Sequence, residues 1–309
     1  MADPVDLSRL APPPRTIQPG AAVRILLGSA AAQIGWLVLG FGSIFLWVFV
    51  FHADLSGWRF RPGAFAEIRG DALLCRDTHY SEGGTKYSRG TPVYENQYAY
   101  EVEGQRYEAA SYAVGKCVAG GPVRVEYLLG RPEVSRIAGM RRDVCSPWTS
   151  LVALLPGAGL VVVLVSLAKG RTHLRLLRDG SPAPARLVGK APTGSRTNGR
   201  MVYQMTFEYT AMSGAAGRAT TKTSRPEKFE AGATQTVLYD PADLSRAVLV
   251  ASLPGRFGTD EAGQPQVTGT AAFILLPVLT LLGNGWYAWH HWIAGHYVRP
   301  FAASPGKPE

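Results

Sequence analysis

The sequence predicts an α+β membrane protein in which three transmembrane helices carry two small repeated β domains, about five strands each, sandwich or barrel-like. Three observations predict it. Charged residues make up only 18% of the 309 residues, against about 25% in soluble proteins. The dilution is confined to three long, nearly uncharged segments. The two stretches between those segments share one ordered pattern of aromatic, glycine and turn residues.

Taken in order, residues 1–24 read as an N-terminal tail, broken by Pro12, Pro13 and Pro14. Residues 25–51 form the first span, with Gln33 its only strongly polar side chain. Residues 148–168 form the second span and 267–292 the third. About 20 apolar residues cross a hydrocarbon core of roughly 30 Å, and all three segments are long enough. The first holds 15 Leu, Ile, Phe and Val residues and the second 11; each favours insertion by about 0.3–0.6 kcal/mol at a helix centre. The third is the weakest, since Pro277 and Asn284 work against it. Its aromatic end (Trp286, Tyr287, Trp289, Trp292) suits a membrane interface. The first apolar run is longer than the 7–15 residues of a signal-peptide core, so it reads as a retained anchor. Lipidation motifs are absent.

The spans leave a first β domain over 52–147, a second over 169–251, a linker over 252–266 and a C-terminal tail over 293–309. Val93–Tyr100 matches Val202–Tyr209, with aromatics at the same three positions. Gly120 precedes Tyr127 as Gly232 precedes Tyr239. An acidic-apolar-Ser-Arg tetrad follows each tyrosine, Glu133–Arg136 and Asp243–Arg246, with a longer turn before it in the first copy. Three landmarks in the same order predict an internal repeat. Tyr94, Tyr98 and Tyr100, and Tyr203, Met205, Phe207 and Tyr209, alternate with other residues as half-buried strands do. Further strands are expected at 71–76, 106–114 and 123–127, and at 183–190, 218–223 and 236–239. Glu103-Gly104-Gln105 reads as a hairpin turn, and Asp240-Pro241 as a turn in which the aspartate accepts a backbone hydrogen bond. Ser81–Gly90 and Thr193–Arg200 read as hairpin tips.

Val237-Leu238-Tyr239-Asp240-Pro241, followed by Ser245 and Leu249, resembles the closing motif of the bacterial domain of unknown function 3592. So does the preceding Gly199-Arg200…Tyr203…Phe207…Tyr209 stretch. The resemblance covers about 180–250 and extends more weakly over 70–138, where Leu128-Leu129-Gly130-Arg131-Pro132 replaces the short Asp-Pro turn. It implies a small β domain flanked by membrane helices, and no activity.

Positively charged residues favour the cytoplasmic side. Here Lys169, Arg171, Arg175 and Arg178 oppose Arg59, Arg61, Arg141 and Arg142. Over 169–270 there are 14 Lys+Arg against 8 Asp+Glu, and over 52–147 there are 13 against 12. All three cysteines (Cys75, Cys117, Cys145) lie in the first loop. They are either three unrelated thiols or include a disulfide such as Cys75–Cys117, which suits an oxidising compartment. The expected arrangement is a multi-pass protein of the bacterial inner membrane: N-terminus cytoplasmic, 52–147 exported, 169–266 cytoplasmic.

No catalytic, cofactor-binding or metal-binding residue is expected. Gly-rich phosphate loops, Gly-x-Ser-x-Gly elbows and His-Glu-x-x-His pairs are missing. His290, His291 and His296 have no carboxylate or thiolate nearby in sequence, so interfacial histidines explain them better than a zinc site does. No charged side chain lies inside a span, which argues against transport. Lys169–Arg178 could hold anionic headgroups, although an ordinary juxtamembrane flank accounts for it. The +9 net charge comes with no nucleic-acid-binding module. Ala31 and Gly35, and Gly157 and Gly159, would permit close helix packing. The expected role is a non-enzymatic scaffold or interaction protein of the cell envelope, with the lipid bilayer and a protein as partners. The alternative is a membrane-bound ligand sensor or accessory regulator of another enzyme or transporter.

Overall fold

The computed structural model describes residues 10–197, 199–230, 234–268 and 271–290. The chain divides into two compact units, one of residues 1–40 with 157–281 and the other of residues 41–156 with 282–309.

Three helical stretches are long and apolar enough to span a membrane: Ala30–Val50, Pro147–Asp179 and Ala271–Ala288. Large apolar side chains on each remain uncovered, for instance Leu37 (54% exposed), Leu164 (56%) and Leu282 (65%). A helix buried in a soluble core would cover them. The first stretch starts later than residue 25, because two helices meet there. Helix α1 (Pro19–Leu27) ends where the Gly28 N–H bonds to Arg24 O (2.7 Å), and α2 (Ala30–Phe45) starts with Ser29 Oγ accepting from the Ala32 N–H (3.1 Å). That is N-capping by a serine hydroxyl. α2 widens into π-helical turns over Leu46–Val50. The second stretch does not stop at 168: α3 (Leu154–Asp179), after a 3-10 turn over Pro147–Ala153, carries the basic run on the same helix. A one-turn helix α4 (Glu227–Glu230) precedes α5 (Leu275–Ala288), which follows a 3-10 turn over Ala271–Ile274. His291, Trp292 and the tail 293–309 lie outside the described residues. α2 meets α3 with almost no side chain between them. A Cβ on Gly159 would stand 2.5 Å from Leu39 N, and one on Gly35 3.0 Å from Val163 N.

The first β domain is one antiparallel sheet of β1 (Phe65–Glu82), β2 (Thr91–Val102), β3 (Gln105–Val114), β4 (Pro122–Leu128) and β5 (Arg131–Ile137), in the order β3-β2-β1-β4-β5. A hairpin turn falls where expected but is shorter: Val102 pairs with Gln105, so Gln105 belongs to β3 and only Glu103 and Gly104 form the turn, both at positive φ (54° and 78°). That is the backbone of a type I′ hairpin. The sheet curls until β3 and β5 approach within 8 Å between Cα atoms. The Ile137 N–H donates to Ser111 Oγ (2.8 Å), and Tyr112 and Arg141 exchange two backbone hydrogen bonds (2.7 and 2.9 Å). Tyr98, Tyr100, Val125, Ile137 and Met140 fill the interior. The Tyr98 hydroxyl shares a hydrogen bond with Ser135 Oγ (2.9 Å), and that of Tyr100 donates to Pro132 O. Burial pushes both phenols above the ordinary tyrosine range. The domain's two ends are tied together: the Asp54 N–H bonds to Cys145 O, and the Cys145 N–H to His52 O (3.0 Å each).

The second β domain has β6 (Ser181–Thr197), β7 (Arg200–Thr210), β8 (Ala216–Thr223), β9 (Gln235–Asp240) and β10 (Asp243–Leu249), in the order β10-β9-β6-β7-β8. Its edge strands β8 and β10 also approach within 8 Å. One face buries Met205, Phe207, Tyr209, Val237, Tyr239 and Leu249. On the other, Leu238, Val248, Val250 and Leu253 pack with Ile25, Leu176 and Leu177. Burial on both faces explains why Val237-Leu238-Tyr239 and Val248-Leu249-Val250 are unbroken apolar runs. Asp240 Oδ1 accepts from the Ala242 N–H (3.0 Å), as the Asp-Pro turn leads one to expect. Asp243 Oδ1 accepts from the Ser245 N–H and hydroxyl, which hold its carboxyl below the usual range.

Both sheets therefore have the strand order third-second-first-fourth-fifth, each a single sheet without the second packed layer that a sandwich needs. Tyr100 pairs with Gly70 and Tyr209 with Ala185, and the first strand is irregular between Ala72 and Leu74 and again between Leu187 and Gly189. A second irregularity falls between Asp77 and Ser81, and between Pro192 and Arg196. One landmark is corrected. Tyr127 pairs with Ser135 and Tyr239 with Ala247, so Ser135 corresponds to Ala247 and not to Ser245. The two tetrads are not equivalent, and the apparent extra turn residues are a register difference at the start of β5. Gly232 lies outside the described residues.

Two expected boundaries also change. The linker over 252–266 contains most of a hairpin, β11 (Arg256–Thr259) paired with β12 (Pro265–Thr268). The tail 1–24 is part of the fold from Leu10 onward. Arg15 is 2% exposed; its Nη1 donates to Leu177 O (3.0 Å) and Gly180 O (2.9 Å), its Nε to Ala11 O (2.6 Å) and its N–H to Arg178 O (2.8 Å). Arginine here takes carbonyls that a helix end leaves without partners. Burial lowers its pKa, and the charge of Asp179 counteracts this.

Replacing Arg15 by Ala leaves these carbonyls unpaired and should destabilise the unit by about 2–4 kcal/mol. A lowered unfolding midpoint of the purified chain in mild detergent, with Arg15→Lys intermediate, is the expected result. Glu103→Asn relieves a left-handed backbone at a non-glycine residue and should stabilise by about 0.5–1 kcal/mol, read as a raised midpoint. Cys75 and Cys117 are joined across 42 residues, a loop whose closure is worth about 4 kcal/mol. Reduction should make 52–147 the first region cut in limited proteolysis and leave cleavage within 169–251 unchanged.

Candidate functional site

A crevice of about 300 Å³ opens along one face of α3. Val161, Val162, Val165, Ser166, Lys169, Gly170 and His173 recur at helical spacing, so they form one stripe. The stripe spans about 18 Å at 1.5 Å per residue. Its first half is aliphatic. Its second half carries an exposed ammonium at Lys169 and a half-buried imidazole at His173. The facing wall is built by Ile25, Ser29 and Ala31, around the break between α1 and α2, and by Ser252 and Pro254 after β10.

Local sequence explains the opening. The chain turns at Gly28, where a Cβ would stand 2.5 Å from Arg24 O and 3.3 Å from Pro254 Cβ. Gly170 lets α1 lie against α3, since its Cβ would be 3.0 Å from Leu26 Cα. The break thus leaves a gap beside α3 that a continuous helix would fill. Two of the serines are engaged, Ser29 as the cap of α2 and Ser252 donating to Leu249 O (2.7 Å). Among the described residues no carboxylate lines the crevice, and no hydrogen bond joins His173 to a serine. The walls are therefore suited to holding a ligand with an apolar part and an anionic part.

The features singled out in the sequence fall elsewhere or only partly here. Lys169 lines the crevice, whereas Arg171, Arg175 and Arg178 do not and are exposed. Cys75 and Cys117 form a disulfide, and Cys145 is a free thiol that burial pushes up in pKa. The disulfide joins β1 to a segment held by Asn96, whose Oδ1 accepts from the Val118 N–H (2.6 Å) and whose Nδ2 donates to Lys116 O (3.2 Å). Among the described residues no three His, Cys, Asp or Glu side chains gather as a metal-ligand set. His290 lies near the end of the third helical stretch, and His291 and His296 are outside the described residues. Sequence reading did not single out Ser29, His173, Ser252 or Pro254. They come from three distant segments, and only the fold brings them together.

No protein-family model matches the sequence. No curated protein matches it. Among solved structures, a match was found to "Structure and Conformational Change of a Replication Protein A Heterotrimer Bound to ssDNA", at 9% identity over 74% of this chain and 53% of that one. The chain spans about half the length of that protein, and a TM-score of 0.16 is too low to indicate a shared fold.

Proposed function

We propose that the chain is a multi-pass protein of the bacterial inner membrane and a non-enzymatic scaffold of the cell envelope. In this reading the β domains arose by duplication of one unit related to the bacterial domain of unknown function 3592. The observation that carries it is the repetition: equal strand order and equally placed strand irregularities, in two domains bounded by helices whose apolar side chains are uncovered. One crossing, α3, separates the domains, so they face different compartments. The disulfide in 52–147 and the cationic excess of 169–270 support an exported first domain and a cytoplasmic second one.

Each domain offers its partner a hairpin tip with a large, nearly bare side chain, Tyr87 (91% exposed) on the first and Met212 (89%) on the second. Tyrosine and methionine are enriched at protein interfaces. The crevice favours a second reading, in which the chain senses a ligand for another membrane protein.

A stoichiometric partner should crosslink to the chain in cells and copurify in mild detergent, and Tyr87→Ser or Met212→Ser should reduce its recovery about ten-fold, as loss of an interface anchor does. A lone monomer with no crosslinked partner refutes the scaffold reading, and undiminished crosslinking in both variants removes Tyr87 and Met212 from the interface. For orientation, an impermeant maleimide added to intact cells should label Ser88→Cys and leave Ser213→Cys unlabelled; the opposite pattern reverses the assignment.

A further inference from the structure

We infer that the crevice along α3 binds one anionic phospholipid, its acyl chain against Val161, Val162 and Val165 and its phosphate at Lys169 and His173. This rests on the membrane reading above and deepens it by naming a ligand. The order of chemistry along the helix carries the inference. The aliphatic part lies within the apolar stretch expected to cross the bilayer, residues 148–168. The basic part begins at its end, Lys169, where headgroups sit. A phospholipid has the same order of parts at the same depth. A soluble anion would use only the second half, and an apolar partner helix would leave Lys169 facing hydrocarbon.

Charge complementarity points the same way. No carboxylate lines the crevice, and no ion pair among the described residues neutralises Lys169. Ser29 and Ser252 add polar side chains at the facing wall. Volume agrees too, since about 300 Å³ is at the lower end of the range for small-molecule sites. It suits part of a lipid, with the remainder in the bilayer. With 169–266 cytoplasmic, the basic end faces the leaflet whose surface potential is negative.

The test uses the full chain in mild detergent, with native mass spectrometry against phosphatidylglycerol and phosphatidylcholine of the same acyl chains. One phosphatidylglycerol should be retained about ten-fold more tightly than phosphatidylcholine. Lys169→Gln, at an exposed position where the fold tolerates change, should weaken phosphatidylglycerol about five-fold, the effect of one charge near the surface, and leave phosphatidylcholine unaffected. Lys169→Gln with His173→Gln should remove the preference. Val162→Trp, filling the apolar half, should weaken both lipids. Equal retention of the two lipids, an unchanged preference in the double variant, or displacement by soluble glycerol phosphate at the lipid's own concentration would each overturn the inference. Failure of the membrane reading is seen separately, as release of the chain from membranes by alkaline carbonate.

Discussion

The end of α3 is the point on which its unit depends. A helix leaves its last four carbonyls without partners in the helix, and a single residue, Gly180, separates α3 from β6. Arg15 resolves this by donating to Leu177 O and Gly180 O while its own N–H reaches Arg178 O. A single guanidinium thereby fixes the helix end, the start of the sheet and the N-terminal segment. The dipole at a helix C-terminus favours a cation there. Once Arg15 is in place, α1 lies along α3, and Ile25 enters the cluster formed by Leu176, Leu177, Leu238 and Val248. The crevice is a consequence: α1 must stop at Gly28 and α2 must restart at Ser29 for the chain to pass from that cluster into the apolar stretch.

Each sheet meets a related constraint by different means. Curling five strands until the edges approach brings large side chains across a narrow interior, and a buried hydroxyl there requires a partner. In the first domain Tyr98 and Tyr100 both reach β5, at Ser135 and Pro132. In the second, Tyr209 donates to Leu244 O (2.8 Å) and the Met212 N–H donates to Tyr239 OH (3.0 Å). These contacts tie the second strand to the fifth, or the fourth to the loop after the second, and so hold the curl that the backbone ladder alone leaves open.

Much of this was legible in the sequence because it is local. Period-two alternation located β2 and β7, Glu103-Gly104 located a turn, and Asp240-Pro241 located another. Apolar runs located the three helical stretches, since length and composition are enough to recognise them. What sequence did not reveal is long-range. Arg15 looked like one more residue of a proline-broken tail, because the carbonyls its Nη1 holds, Leu177 O and Gly180 O, lie more than 160 positions away. The hairpin β11–β12 pairs segments without strong alternation and holds by packing on its unit. The tetrad match misled for a physical reason: Asp243–Arg246 falls at the irregular start of β10, where the register shifts between Asp243 and Ala247 and Asp243 accepts from Ser245, whereas Ser135 and Arg136 pair regularly with Tyr127 and Glu126, so similar residues serve different geometry.

The two domains show how one topology is stabilised twice. The second buries apolar side chains on both faces of its sheet, and it contains no cysteine. The first has a single apolar cluster, of which two members are tyrosines. It makes up the difference with groups that constrain the chain: the Cys75–Cys117 crosslink, the Glu126–Arg136 pair (2.7 Å), and the Glu82–Arg141 pair (2.7 Å) that ties the β1–β2 hairpin to the segment after β5. Arg136 also lies over the Phe60 ring at 4.3 Å, adding a contact that a lysine would make less well. A crosslink is an effective substitute for a second apolar face only where thiols stay oxidised. A reduced first domain would keep its strand order and lose the covalent anchor of the segment around Lys116 and Val118, leaving it to the Asn96 hydrogen bonds and the packing of Val118 on the core. The way this domain is built therefore suits an oxidising compartment, whereas nothing in the packing of the second requires one.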